Sequence, residues 1–189
     1  MNEKSSDGSH KKSATSEDVK KKNLKEEKRY ENASETRGKR MVELLNGSKG
    51  MDLGKLPVPP LTKWLNGRIL NAKRGEVSVK FKVRPEMANP TDLLHGGMHC
   101  AMMDDTLGIT CSTLGYKGFL ITIDFHVDYL GKVKVGKTVK CTGKIVREGR
   151  NIVHAEAKLF NENDSCVSTA NANLLITQHK PDYNKLVDG

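Results

Sequence analysis

The sequence contains no apolar run close to the roughly 20 residues that a membrane-spanning helix needs, so we expect no transmembrane segment. It also lacks an internal repeat, which argues against a solenoid. The four cysteines stand 11, 30 and 25 residues apart, with no C-x-x-C pair and no histidine at zinc-ligand spacing. These absences predict a fold without a structural metal, and no motif calls for a cofactor.

The N-terminus has no apolar stretch of the kind found in secretory signal peptides, which predicts an intracellular protein with reduced thiols. A cytoplasmic location is the first expectation. A mitochondrial address is the alternative, because the N-terminal segment is basic. Transit peptides are usually poor in acids, whereas this segment carries several acidic residues near its start, namely Glu3, Asp7, Glu17 and Asp18.

Large apolar side chains are scarce in residues 1–40, which hold 12 basic and 8 acidic residues. Such a segment buries too little apolar surface to offset the entropy of ordering, so we predict a disordered basic tail. The run Lys20 to Lys22 is typical of nucleic-acid or membrane-surface patches, but glutamates interrupt the charge after it. No nucleic-acid partner is therefore expected, and a functional basic arm remains the alternative.

Residues 41–65 are predicted to form a helical and extended lead-in to the folded domain. A short helix is predicted over residues 37–49, and the proline-rich run Leu56 to Pro60 is typical of extended chain. Residues 179–189 are predicted to be a C-terminal tail. The hotdog domain described next is assigned to residues 66–178.

Alternating apolar and polar residues predict six strands, and one stretch without alternation predicts a helix over Leu93 to Leu114. The predicted strands cover 68–71, 77–83, 119–129, 137–146, 152–160 and 166–177. Short turns between consecutive strands imply an antiparallel sheet. The helix is apolar on most sides, so protein must surround it. The expected fold class is therefore α+β, an antiparallel sheet wrapped around one long central helix, which is the hotdog architecture.

A set of motifs falls on these elements in order. Asn89 precedes His95-Gly96-Gly97 at the start of the central helix, and Asp104 follows on the same helix. Thr122-Ile123-Asp124 and Tyr129-Leu130 lie on the next strand, and the turn Arg147-Glu148-Gly149-Arg150 comes later. Over residues 68–177 the sequence resembles the hotdog-fold acyl-CoA thioesterases, specifically the PaaI-like and thioesterase-superfamily-member-2 types. The resemblance implies hydrolysis of acyl-CoA to a free acid and coenzyme A, in lipid metabolism.

Helix geometry supports a site at these residues. Amides in the first turn of a helix lack intrahelical partners, and glycines at 96 and 97 would let a thioester carbonyl approach them. Nine residues of helix separate His95 from Asp104 by about 13 Å and half a turn. One helix therefore cannot present both to one thioester, which predicts sites shared between two chains. This agrees with the homodimer or homotetramer that the resemblance implies.

The resemblance also assigns roles by position. Gly96 polarises the carbonyl, Asp104 attacks it or activates water, His95 and Asn89 hold the loop and acyl group, and Thr122 lies near the water. Coenzyme A contacts are implied for residues of the helix start and two later segments, namely Gly97, Tyr129, Leu130, Gly131, Lys132, Val133, Lys134, Arg147, Glu148, Gly149, Arg150, Asn151 and Ile152. Lys132 departs from the family, which commonly has proline there, so the shape of that loop is in doubt.

Each assignment has a simpler alternative. His95 could only cap the helix, Thr122 is a common strand residue, and the lysines could form an ordinary wet strand face. Asp105 competes with Asp104 for the carboxylate role, although spacing favours Asp104. Two other functions also stay open at this point: a hydroxyacyl-thioester dehydratase, and a non-catalytic protein that binds acyl thioesters or acts as a scaffold.

Overall fold

The computed structural model describes residues 33–188. A helix over residues 33–47 (α1) comes first, and a second helix follows at Pro60–Leu65 (α2). The remaining main elements are β1 (Arg68–Lys73), β2 (Glu76–Lys82), α3 (Gly96–Ser112), β3 (Leu120–Tyr129), β4 (Thr138–Glu148), β5 (Ile152–Phe160) and β6 (Cys166–Ile176). Short 3-10 helices occupy Leu53–Lys55, Pro85–Met87 and Asp182–Leu186. No helix among residues 33–188 is both long and apolar enough to cross a bilayer.

The six strands form one antiparallel sheet in the order β1-β2-β4-β5-β6-β3. Alternation in sequence becomes alternation in burial, as in β2, where Val77, Val79 and Phe81 are buried and Lys80 is exposed. The strand β3 lies at one edge and pairs with β6 alone among the described strands. The predicted α+β hotdog architecture is confirmed.

The central helix α3 packs across β2, β4 and β5 with one buried face. Met102, Met103 and Leu107 on that face are completely buried. The helix approaches β4 closely at Gly143, where a Cβ atom would lie 2.6 Å from the Thr110 hydroxyl. The opposite face is less covered than the sequence predicts, because Asp104 on it is exposed. Protein therefore surrounds the helix only in part within one chain.

The predicted tail over residues 1–40 is wrong for its last part, because residues 33–40 belong to α1. The Ser34 hydroxyl donates to the Leu114 carbonyl at 2.9 Å, and the Arg37 Nε donates to the Gly115 carbonyl at 2.8 Å. Both bonds are buried and satisfy carbonyls beyond the C-terminal end of α3. Composition missed this docking because polar side chains and a close approach at Gly38, rather than large apolar residues, make it. Residues 1–32 of the predicted tail lie outside the described residues.

The C-terminal segment is also packed rather than a free tail. Val187 is buried, and its carbonyl accepts from Arg40 Nη1 at 2.9 Å. The Asn184 side-chain amide donates to the Lys117 carbonyl at 2.7 Å. The lead-in contributes to the core as well, since Leu53 and Leu65 are buried in the main cluster. The core therefore extends on both sides of the predicted boundaries at 66 and 178.

We expect a chain truncated before residue 41 to be less stable than a chain truncated before residue 33. The longer deletion leaves the buried Leu114 and Gly115 carbonyls without donors, and each loss costs about 1–3 kcal/mol. The melting temperature should fall by at least about 4 °C between the two truncations. The double substitution Ser34→Ala, Arg37→Leu in the full chain should reproduce most of this loss. Equal melting temperatures for the two truncations would contradict the docking.

Candidate active site

The start of α3 is capped by the histidine that precedes it. The Gly97 amide donates to His95 Nδ1 at 2.9 Å, and the His95 amide donates to the Met87 carbonyl at 2.9 Å. The capping alternative for His95 therefore describes one of its roles. The Gly96 amide has no acceptor among residues 33–188. An unpaired amide at the positive end of a helix is suited to stabilise a carbonyl oxygen that gains negative charge.

Tyr129 at the end of β3 lies against this helix start. Its hydroxyl donates to the Gly96 carbonyl at 3.3 Å and lies 3.0 Å from Cys100 Sγ. The hydrogen bond with Cys100 raises the pKa of Tyr129. A Cβ atom at residue 96 would lie 3.3 Å from the Tyr129 ring, so glycine suits this contact.

The loop before α3 is shaped by Asn89. Its side-chain oxygen accepts from the Thr91 amide at 2.9 Å, the Thr91 hydroxyl at 2.8 Å and the Leu93 amide at 3.2 Å. This arrangement brings the loop into the position from which His95 caps the helix. Because the oxygen already has three donors, Asn89 supports the loop.

Asp104 lies two turns further along α3, on its exposed face. The Thr122 hydroxyl, from the beginning of β3, donates to Asp104 Oδ1 at 2.9 Å. This bond fixes one carboxylate oxygen and leaves Oδ2 without a protein donor among residues 33–188. The pairing brings together two residues that sequence reasoning selected separately.

Asp105 points to a different neighbour. The Thr62 hydroxyl of α2 donates to Asp105 Oδ1 at 2.5 Å, while Oδ2 is buried without a hydrogen-bond partner. Burial raises the pKa of Asp105 to about 6, and the nearby Asp104 charge adds to this effect, while the Thr62 bond opposes it. The two adjacent carboxyl groups therefore have separate surroundings, and only Asp104 faces Thr122.

The two segments predicted to contact coenzyme A lie at opposite ends of the sheet. Tyr129 pairs with Ser168 at the beginning of β6, whereas Ile152 pairs with Leu175 near the end of β6. Seven residues of extended strand correspond to about 23 Å. Within one chain, the loop after β3 and the turn before β5 are therefore too far apart to frame one compact site.

Individual residues of these segments differ in what they offer. The Val133 side chain is buried in the core, so the predicted ligand contact is wrong for that side chain. Glu148 is held by the Arg74 guanidinium through two bonds of 2.9 and 2.8 Å, which assigns it a structural pairing. Four exposed cations have no ion-pair partner among residues 33–188, namely Lys132, Lys134, Arg147 and Arg150.

Comparison with known proteins bears on this arrangement. The thioesterase superfamily matches residues 92–168, from the loop before α3 to the beginning of β6. This chain contains a thioesterase-superfamily domain. Human acyl-coenzyme A thioesterase 13 is 25% identical over 96 residues, which are 50% of this chain and 67% of the human protein. The predicted resemblance is confirmed, and so is the predicted enzyme class, a thioester hydrolase.

Solved structures show the same fold around this thioesterase-superfamily domain. Zebra fish thioesterase superfamily member 2 has a TM-score of 0.60 at 18% identity, covering 72% of this chain and 95% of the fish protein. A hypothetical thioesterase from Streptococcus pneumoniae, solved with coenzyme A, has a TM-score of 0.57 at 22% identity, covering 61% and 92%. The PaaI protein of E. coli has a TM-score of 0.58 at 19% identity, covering 61% and 86%.

Asp105→Asn should stabilise the chain at pH 7. The raised pKa means that the folded chain keeps a proton between about pH 3.8 and 6 that the unfolded chain releases, so stability falls as pH rises through this interval. Asparagine removes that cost and still accepts from Thr62. We expect a gain of up to about 3 kcal/mol at pH 7 and little gain at pH 4, measured by urea unfolding.

Asp104→Asn is the matched control, because it removes the same charge one residue earlier at an exposed position. Its gain should be clearly smaller than that of Asp105→Asn. Equal gains at pH 4 and pH 7 for Asp105→Asn would show that burial of the charge is not the cause.

Proposed function

We propose that this protein hydrolyses acyl-CoA thioesters to a free acid and coenzyme A. The observation that carries the proposal is the Thr122–Asp104 hydrogen bond, with an unpaired Gly96 amide at the N-terminus of the same helix. The domain match and the coenzyme A in a structural neighbour support it. Exposed cations at Lys132, Lys134, Arg147 and Arg150 suit the phosphates of coenzyme A.

In the proposed reaction, the thioester carbonyl oxygen accepts from the Gly96 amide. Asp104 takes a proton from a water molecule while the water oxygen bonds to the carbonyl carbon, and Thr122 holds the carboxylate in place. The negative charge that develops on the carbonyl oxygen is stabilised by the helix N-terminus. Collapse of this intermediate breaks the carbon–sulfur bond, and the thiolate of coenzyme A recovers the proton. Direct attack by Asp104, followed by hydrolysis of the anhydride, is the alternative route.

Two chains are needed to assemble this site. Along α3, Gly96 and Asp104 are eight residues apart, about 12 Å of helix, and face different directions. Tyr129 lies beside Gly96 and Thr122 beside Asp104, so each chain carries two half-sites at opposite ends of β3. A two-fold axis beside β3 would join the Asp104 half-site of one chain to the Gly96 half-site of another.

The edge of the sheet supports this assembly. β3 has no second strand partner among the described strands, and Ile121 and Ile123 on it are about half exposed. A long edge strand with apolar side chains is unusual in a monomer. We therefore propose a homodimer with interfacial active sites, or a homotetramer made of two such dimers.

Asp104→Asn should lower turnover of acyl-CoA at least about 100-fold, because the substituted residue cannot take a proton from water. Turnover is followed as free thiol released from several acyl-CoAs. Asp105→Asn is the matched control and should keep most of the activity, since Asp105 is bonded to Thr62. Thr122→Val should reduce turnover, and Thr122→Ser should restore it. An active Asp104→Asn beside an inactive Asp105→Asn would transfer the role to Asp105.

Two inactive variants should complement each other in a mixed dimer. Asp104→Asn removes the carboxylate, and Gly96→Val blocks the approach of the carbonyl, so one interfacial site of a mixed dimer keeps both intact groups. Random pairing of equal amounts gives half mixed dimers, and activity should recover to roughly a quarter of that of the unmodified protein. The variants are mixed, denatured, refolded and assayed beside each one alone. Mixed dimers without recovered activity would place both groups in one chain.

A further inference from the structure

A cavity of about 500 Å³ lies against the outer face of α3. It begins at Asp104 and Thr122 and extends beneath α1, the proline-rich lead-in and the C-terminal segment. Its walls are mainly aliphatic, and the side chains that enclose it include Leu45, Val58, Leu61, Ile109, Ile121 and Leu186. A cavity of this size with apolar walls and a few polar groups at one end is typical of a small-molecule site.

The polar side chains inside the cavity are already engaged. The Ser112 hydroxyl donates to the Ile109 carbonyl at 2.7 Å, and the Thr62 hydroxyl donates to Asp105. Beyond the Asp104–Thr122 pair, the walls therefore offer apolar contact and no free hydroxyl group. An occupant that extends from Asp104 into the cavity must be apolar.

Gly108 provides much of the free space. It lies one turn beyond Asp104 on α3 and lines the cavity, and a Cβ atom placed there would meet no heavy atom within 4 Å. The roof comes from outside the matched domain, because α1, the lead-in and residues 183 and 186 lie beyond residues 92–168. The cavity is thus built from segments particular to this chain as well as from the shared fold.

We propose that this cavity binds the hydrocarbon tail of the substrate, a straight aliphatic acyl chain of medium or greater length, with the thioester at Asp104 and Thr122. The assignment rests on the proposed thioesterase function. An acetyl group would leave most of the 500 Å³ unfilled. Continuity with the Asp104–Thr122 pair favours the acyl chain over a protein segment as the occupant. The terminal segments that roof the cavity then set the preference for chain length.

Burial of each additional methylene group contributes about 0.8 kcal/mol, which corresponds to a roughly fourfold gain in kcat/KM or affinity. For the unmodified protein, kcat/KM should rise from acetyl-CoA to octanoyl-CoA and dodecanoyl-CoA, and should exceed that for phenylacetyl-CoA. Dodecanoic acid alone should bind, measured by isothermal titration calorimetry.

Gly108→Leu tests the cavity, because the new side chain occupies space that is open in the structure. The ratio of kcat/KM for dodecanoyl-CoA to that for acetyl-CoA should fall at least tenfold, and dodecanoic acid should bind more weakly. Gly47→Leu is the matched control, since a Cβ at this exposed end of α1 also meets nothing within 4 Å and Gly47 does not line the cavity. That variant should keep the ratio.

Leu186→Asn is a second variant, at an exposed position at the cavity edge, which keeps the test open if Gly108→Leu fails to fold or dimerise. It should also lower the dodecanoyl-to-acetyl ratio. An unchanged ratio in correctly assembled variants, no binding of dodecanoic acid, or a preference for phenylacetyl-CoA would overturn the assignment. Dodecanoic acid that binds in a Gly108-sensitive way to a protein that hydrolyses no acyl-CoA would uphold the cavity and contradict the thioesterase function.

Discussion

The packing of α3 against the sheet is the contact on which the rest of the molecule depends. Gly143 on β4 lets the helix approach until Thr110 would touch any added Cβ, and Met102, Met103 and Leu107 fill the interface. This contact fixes the rotation of the helix about its axis. Every residue that is not on the buried face is then assigned a direction: Asp104 faces Thr122, and Asp105, one residue later, faces Thr62 of α2.

The segments on either side of the domain complete that arrangement. α1 bonds to the carbonyls that follow α3, and the C-terminal segment is held by a bond from Arg40 to the Val187 carbonyl. The outer face of α3 is therefore partly covered, and the covered part encloses a cavity rather than a solid core. The same docking that stabilises the chain shapes the space next to the Asp104–Thr122 pair.

The fold was largely predictable because its strands alternate strictly and its helix does not. The predicted strand boundaries fall within a few residues of those observed, and Asn89, His95 and Asp104 were found through spacing and a family resemblance. The docking of residues 33–40 and 182–187 was not predictable from composition, since it depends on hydrogen bonds to main-chain carbonyls far away in sequence. The contrast between Asp104 and Asp105 also needed the structure, because burial and the contact with Thr62 decide it.

The separation of Gly96 and Asp104 along one helix has a consequence for control of the enzyme. If each site combines groups from two chains, a correctly folded single chain has no complete site. Specific activity then depends on protein concentration, because dilution below the dissociation constant of the dimer removes activity without unfolding the chain. In a cell, the amount of this protein would set both the number of sites and the fraction of chains able to form them.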